Sequence, residues 1–104
     1  IGQSIDTIST DEIHHFETEE SLSFLITNKG SRYAIDYTLD QLEKLLQPKD
    51  FFRINRKVIL HIKAIQKVST YFNGRLSIAT NFLKAEANVV SRERVNDFKA
   101  WLDS

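Results

Sequence analysis

Five basic residues stand at positions where charge has something to do. Arg53, Arg56 and Lys57 fall within five residues of an otherwise apolar, β-rich run over residues 51–60. Arg92 and Arg94 follow Ser91 in the expected first turn of the last helix. That second placement is mildly unfavourable by itself, because a helix N-terminus already carries about +0.5 elementary charge. A phosphate or base edge opposite would offset the cost, since exposed amides at a helix start also favour anions. Arginine suits such a position because its planar fork grips a phosphate, or the O6/N7 edge of guanine, at two points. Surface arginines paired with Asp50, Glu93 and Asp97 give an equally consistent account of the spacing.

Other chemistries find less support. Cysteine is absent, which excludes disulfides, thiolate catalysis and cysteine-ligated zinc. His14 and His15 are adjacent, so a regular strand would point them to opposite faces, and His61 is distant. Nothing there has the spacing of three or four converging metal ligands, and the three are expected to be ordinary surface or edge histidines. No G-x-S-x-G turn, G-x-x-x-x-G-K loop or G-x-G-x-x-G run is present. Glu17, Glu19 and Glu20 fall in a polar turn, where solvated carboxylates are expected rather than an acid/base pair. An enzyme is therefore not expected, and neither is a cofactor or a metal.

At 104 residues the chain has room for one domain, expected over residues 1–104. No apolar run approaches the ~20 residues that span a bilayer, and no signal-peptide pattern opens the sequence. Methionine is absent, so a longer parent polypeptide is expected. The net charge of zero conceals a division. Residues 1–48 carry nine acids against three bases, whereas residues 49–104 carry eleven bases against five acids. Such asymmetry is a recognised hint of nucleic-acid binding, unless the halves interleave in space.

The elements that must hold these side chains are mainly strands. Leu83, Ala85, Ala87 and Val89 alternate with Lys84, Glu86 and Asn88; Tyr33, Ile35 and Tyr37 alternate with Ala34 and Asp36; and Leu76 and Ile78 alternate with Ser77 and Ala79. Asn73-Gly74 is a strong hairpin signal, because both residues tolerate positive φ. Asn28-Lys29-Gly30 marks a looser hairpin between residues 21–27 and 32–37. Residues 51–60 read as a strand interrupted by an exposed basic segment. Two short helices complete the pattern. Thr38-Leu39-Asp40-Gln41 fits a capping box ahead of Leu42, Leu45 and Leu46, with Pro48 beyond. Ser91 suits an N-cap, with Val95, Phe98, Trp101 and Leu102 on one apolar face. Helices this short are marginal alone and must dock on the sheets.

Taken in order, four stretches resemble one family. Phe51-Phe52-Arg53-Ile54-Asn55-Arg56-Lys57-Val58-Ile59-Leu60, followed by Ile62 and Ile65, resembles the signature F-x-R-I-H-R-S-x-I-V-N of LytTR (LytR/AlgR-type) DNA-binding domains. Val90-Ser91-Arg92 before the last helix resembles its V-S-R element. Asp11-Glu12-Ile13-His14-His15-Phe16-Glu17 is similar to its opening strand, and Tyr37-Thr38-Leu39-Asp40-Gln41-Leu42-Glu43 to its T-L-x-x-L-E segment. The resemblance covers nearly the whole chain.

It implies a mostly-β fold: an elongated stack of small antiparallel sheets with two short helices, reading double-stranded DNA through loops. It further implies the cytoplasmic output domain of a bacterial two-component response regulator. A receiver domain would precede it and a sensor kinase would act upstream, with two domains pairing on repeated half-sites. Carried over by position, the first contact segment is near Ser21 and Ser23, the second is Arg53 to Lys57 with Asn55 and Arg56, and the third is Arg92. Arg92 is the expected base reader. Arg53, Lys57, Arg94 and Lys99 are expected on phosphates, which fix register but carry no sequence information. The chain departs from the family pattern at Asn55, Lys57 and His61, where histidine, serine and asparagine are usual. The alternative is a β-rich protein-interaction module whose basic C-terminal half docks an acidic partner. On the DNA reading Arg56 and Arg92 should both be exposed and share one face.

Overall fold

A computed structural model describes residues 8–104, so residues 1–7 of the expected domain lie outside the described residues. The architecture is mostly β, with two antiparallel sheets and two helices. Strands β1 (Ile13–Glu19), β2 (Leu22–Thr27), β3 (Arg32–Ile35), β4 (Phe51–Asn55) and β5 (Val58–His61) form one sheet in the order β3-β2-β1-β5-β4. Strands β6 (Lys67–Thr70), β7 (Leu76–Ala79) and β8 (Val89–Val90) form the second, in sequence order. Helix α1 (Leu39–Leu45) joins β3 to β4, and α2 (Val95–Asp103) ends the chain. The molecule is elongated, 46 × 29 × 24 Å. No helix of the described residues is long and apolar enough to cross a membrane.

Strand β5 shows how the larger sheet is covered on both faces. Val58 and Leu60 join Ile54, Ile78, Val90, Phe98 and Trp101 in a core shared with the small sheet and α2. Ile59, one residue out of phase, joins Phe16, Leu39, Leu42 and Phe51 beneath α1. Period two sends alternate side chains to opposite faces, and here both faces are apolar. The caps are local. Thr38 Oγ1 accepts from Gln41 N at 3.0 Å and Gln41 Oε1 accepts from Thr38 N at 2.9 Å, as the capping box predicts. At the other end Ser91 holds the N-cap position without a side-chain capping bond, and a 3-10 turn, Arg92–Arg94, precedes α2. Trp101 Nε1 donates to Pro48 O at 2.9 Å and ties α2 to the segment after α1.

Three local expectations change. Residues 51–60 are a hairpin, β4 and β5 around the two-residue turn Arg56-Lys57, rather than one interrupted strand. The alternating run over 83–89 is strand only at Val89; residues 81–88 are irregular, with positive φ at Phe82 (64°) and Glu86 (79°). Alternation of apolar and polar residues therefore found no partner strand there.

The histidines are the third correction. His14, His15 and His61 are all buried rather than at the surface. The pairing register shifts between Ile13 and His15, a β-bulge that breaks the alternation, so the two neighbouring rings meet with Nδ1 to Nδ1 at 2.8 Å. Thr80 donates its hydroxyl proton to Ala64 O and accepts from His14 Nε2 at 2.9 Å. His14 Nδ1 faces His15 Nδ1, and His15 Nε2 lies 2.6 Å from Glu17 Oε1. Burial, with His15 and His61 nearby, lowers the His14 pKa to about 4. This relay ties the larger sheet to the end of β7.

Candidate nucleic-acid interface

The β4–β5 turn is the centre of the basic surface. Arg56 and Lys57 are both exposed, and neither side chain has a hydrogen-bonding or ionic partner among the described residues. Neither has positive φ, so the turn is not of the primed kind that matches strand twist. Its shape is held by its neighbours. A register shift between Arg53 and Asn55 makes Ile54 a bulge. Arg53 donates to Arg56 O at 2.7 Å and to Asn55 O at 3.3 Å. Asn55 Oδ1 accepts from Lys57 N at 2.8 Å, while its Nδ2 donates to Ala87 O and Val89 O at 3.0 and 2.9 Å.

Arg53 is further neutralised from α1. Its Nη1 lies 2.5 Å from Asp40 Oδ1 and 2.8 Å from Glu43 Oε1, and its side chain is only 13% exposed. Partial burial opposes the charge, but the hydrogen bonds Arg53 donates to Glu43 and Asp40 prevail and raise its pKa. The same guanidinium holds the Asp40 carboxyl below its usual value. The side chains of Arg53 and Asn55 are thus committed inside the protein, whereas those of Arg56 and Lys57 point out.

Two surfaces meet at this turn. On one flank Ser21, Ser23, Thr38 and Asp40 line a groove of about 370 Å³ together with Arg53, Arg56 and Lys57. Ser21 is exposed there and Ser23 is buried. Glu20 and Ser21 form the β1–β2 turn with φ of 52° and 69°, and Arg32 holds Glu19 at 2.7 Å, which neutralises one of the loop acids. On the other flank a groove of about 530 Å³ is lined by Asn55, Arg56, Lys57, Arg75, Lys84, Ser91 and Glu93, among others. The bulge explains the second approach: Ile54 O accepts Ser91 N at 2.9 Å, which docks the Arg92–Arg94 turn against the end of β4. Arg92 is exposed between two groove-lining residues and has no side-chain partner among the described residues. Arg94 is half-buried, with Nη1 3.5 Å from Arg53 O, and lines a different cleft with Trp101. Lys99 is exposed on α2 and lines neither groove.

The Arg56-Lys57 turn is thus flanked by Ser21 and Ser23 in one groove and by Ser91 and Glu93 in the other, while Arg92 itself lines neither. Residues 3–103 match the LytTr DNA-binding domain family. The chain belongs to the LytTr DNA-binding domain family. Its relatives include the transcriptional regulatory protein LytR of Staphylococcus aureus, 30% identical over 106 residues, covering 94% of this chain and 42% of the relative. The sensory transduction protein LytT of Bacillus subtilis is 28% identical over 78 residues, covering 75% of this chain and 32% of the relative. The chain thus spans less than half the length of these curated relatives. A solved LytTr DNA-binding domain from Bacillus cereus shares the fold with a TM-score of 0.80 at 15% identity, covering 93% of this chain and 86% of that one.

Arg75 and Lys84 also line the larger groove, where no sequence pattern places them. Lys84 was hidden in the alternating run read as a strand, and Arg75 in a hairpin with no basic neighbours. Only the three-dimensional placement of residues 84–87 beside Asn55 brings Lys84 to the groove.

Proposed function

We propose that the domain binds double-stranded DNA with sequence specificity, as the output domain of a response regulator that controls transcription. Arg92 and Arg56 read base edges, Lys57 contacts phosphate, and two domains pair on repeated half-sites. A receiver domain and a sensor kinase act in the parent protein, in the cytoplasm. The observation that carries this reading is the presentation of Arg56 and Lys57, exposed and unpartnered among the described residues, on a turn flanked by both other contact segments. Ser21 fits a polar backbone contact, whereas Ser23 is buried and supports the groove wall. Arg53 and Asn55 act as positioning residues, because their polar atoms are spent on the turn itself. Arg94 braces the β4 end.

The docking of an acidic protein is less well supported. Of the large exposed apolar side chains among the described residues, Leu22, Tyr37, Leu45 and Phe72 line neither groove at the basic turn, and Phe82 lines only the smaller groove with Lys57 and Lys84. In-vitro selection from a random duplex pool at fixed salt tests the proposal. Enrichment of a short repeated motif is expected. Recovery of an unbiased pool would remove the claim of sequence specificity.

A further inference from the structure

The larger groove lined by Arg56 and Lys57 is also lined by Arg75 and by residues 84–87. Neither part belongs to the three contact segments. Residues 81–88 have little regular structure, but they are firmly held. Asn55 Nδ2 ties down Ala87 O and Val89 O, Asn88 Nδ2 donates to Ile78 O at 2.8 Å, and Ala87 N bonds Lys84 O at 3.1 Å. Phe82 and Glu86 are kept at positive φ, a conformation that costs a side-chain-bearing residue energy and persists only where the surroundings enforce it. The result is an exposed Lys84 that also lines a smaller groove with Lys57, Glu17 and Glu19. The two carboxylates beside it are occupied: Glu19 by Arg32 and Glu17 by His15 and Arg32.

Arg75 is prepared in a different way. Its Nε donates to Phe72 O at 3.0 Å and its guanidinium lies 4.9 Å from the Tyr71 ring centroid. Its two terminal nitrogens have no partner among the described residues. An arginine fixed at one edge and free at the other loses little further entropy when it binds an anion. Four cations (Arg56, Lys57, Arg75 and Lys84) then line the groove against two acids, Glu86 and Glu93.

We propose that Arg75 and Lys84 are two further DNA contacts, a phosphate clamp in the groove that Arg56 and Lys57 also line. This rests on the DNA-binding reading above. The clamp holds the sugar–phosphate backbone and takes no part in base readout. The test is fluorescence-anisotropy titration of the 104-residue chain at several salt concentrations, on a duplex recovered by selection and on a scrambled duplex. Arg75→Gln and Lys84→Ala are each expected to reduce the log–log salt slope by about one and to weaken both duplexes by the same factor. Arg75→Lys should keep most of the slope, because the charge remains. Lys57→Ala serves as the reference. If Lys57→Ala weakens binding while Arg75→Gln and Lys84→Ala leave slope and affinity unchanged, the clamp is refuted and the DNA reading stands. If none of the three changes binding, both fall. A loss confined to the selected duplex would also overturn the clamp, since it would place these residues on bases.

Discussion

Removing the Arg92 guanidinium takes away five N–H donors and leaves no buried group unsatisfied, because the side chain is exposed and unpartnered among the described residues. Arg92→Ala should therefore leave folding untouched and cost roughly 1–3 kcal/mol of binding, with preference relaxed at one base pair. Competition with duplexes mutated one position at a time checks this; an equal loss on every sequence would make Arg92 a backbone contact. Arg53 behaves in the opposite way. Its loss strips hydrogen bonds from Arg56 O and Asn55 O and leaves Asp40 and Glu43 facing each other without a cation. Arg53→Ala is expected to lower stability by about 1–2 kcal/mol, visible in a urea midpoint, and to weaken DNA binding only through the misplaced turn. Unchanged stability with lost binding would return Arg53 to the phosphate. The distinction between Arg53 and Arg56 was not legible in the sequence. Asp40 and Glu43 are brought to Arg53 by α1, and the carbonyls that occupy Asn55 come from Ala87 and Val89, more than thirty residues on.

At the scale of elements, local rules carried far. Helix α1 and both hairpin turns follow from contacts within a few residues, such as the Thr38–Gln41 box and the positive φ of Asn73 and Gly74, whereas α2 begins at Val95 without the side-chain cap expected from Ser91. What failed depended on a single inserted residue or on distant pairing. One bulge at His14 reverses the face rule and buries adjacent imidazoles together, and residues 83–88 alternate without a neighbour to pair with. The β1–β2 turn offers a test of its own. Ser21 sits at φ 69°, where a residue with a Cβ is strained by roughly 1 kcal/mol. Ser21→Gly should raise stability by up to about 1 kcal/mol in urea denaturation. A fall instead would mean that the Ser21 side chain makes a stabilising contact.

For the whole molecule, pH and salt probe different things. His14 titrates near its ordinary 6.5 when unfolded and at about 4 when folded, for burial disfavours its charged form. Between those values the unfolded chain binds more protons, so stability is fully present above pH 6.5 and is lost as pH falls toward 4. Burial lowers the His15 and His61 values too, which steepens the same trend. Urea midpoints at about pH 7.5 and pH 5 should differ accordingly, and His14→Asn should flatten the dependence; a midpoint independent of pH would show that the imidazole is not held neutral. Salt reports on the surface instead. With about 4–6 phosphate contacts, the log–log slope of DNA affinity should lie near −4 to −5. Binding that ignores salt would exclude the cationic surface as its basis.

The bulge at Ile54 has a consequence for how such a domain diversifies. Arg92 reaches its station through a main-chain bond, Ser91 N to Ile54 O, and not through any property of its own side chain. The scaffold therefore works as a socket with exchangeable bits. If Arg92 and Arg56 read bases as proposed, swapping the side chain at position 92 or 56 would retune which operator is preferred while the frame that aims it stays the same. Adding or deleting a single residue in β4 would misalign the socket, whatever bit it held.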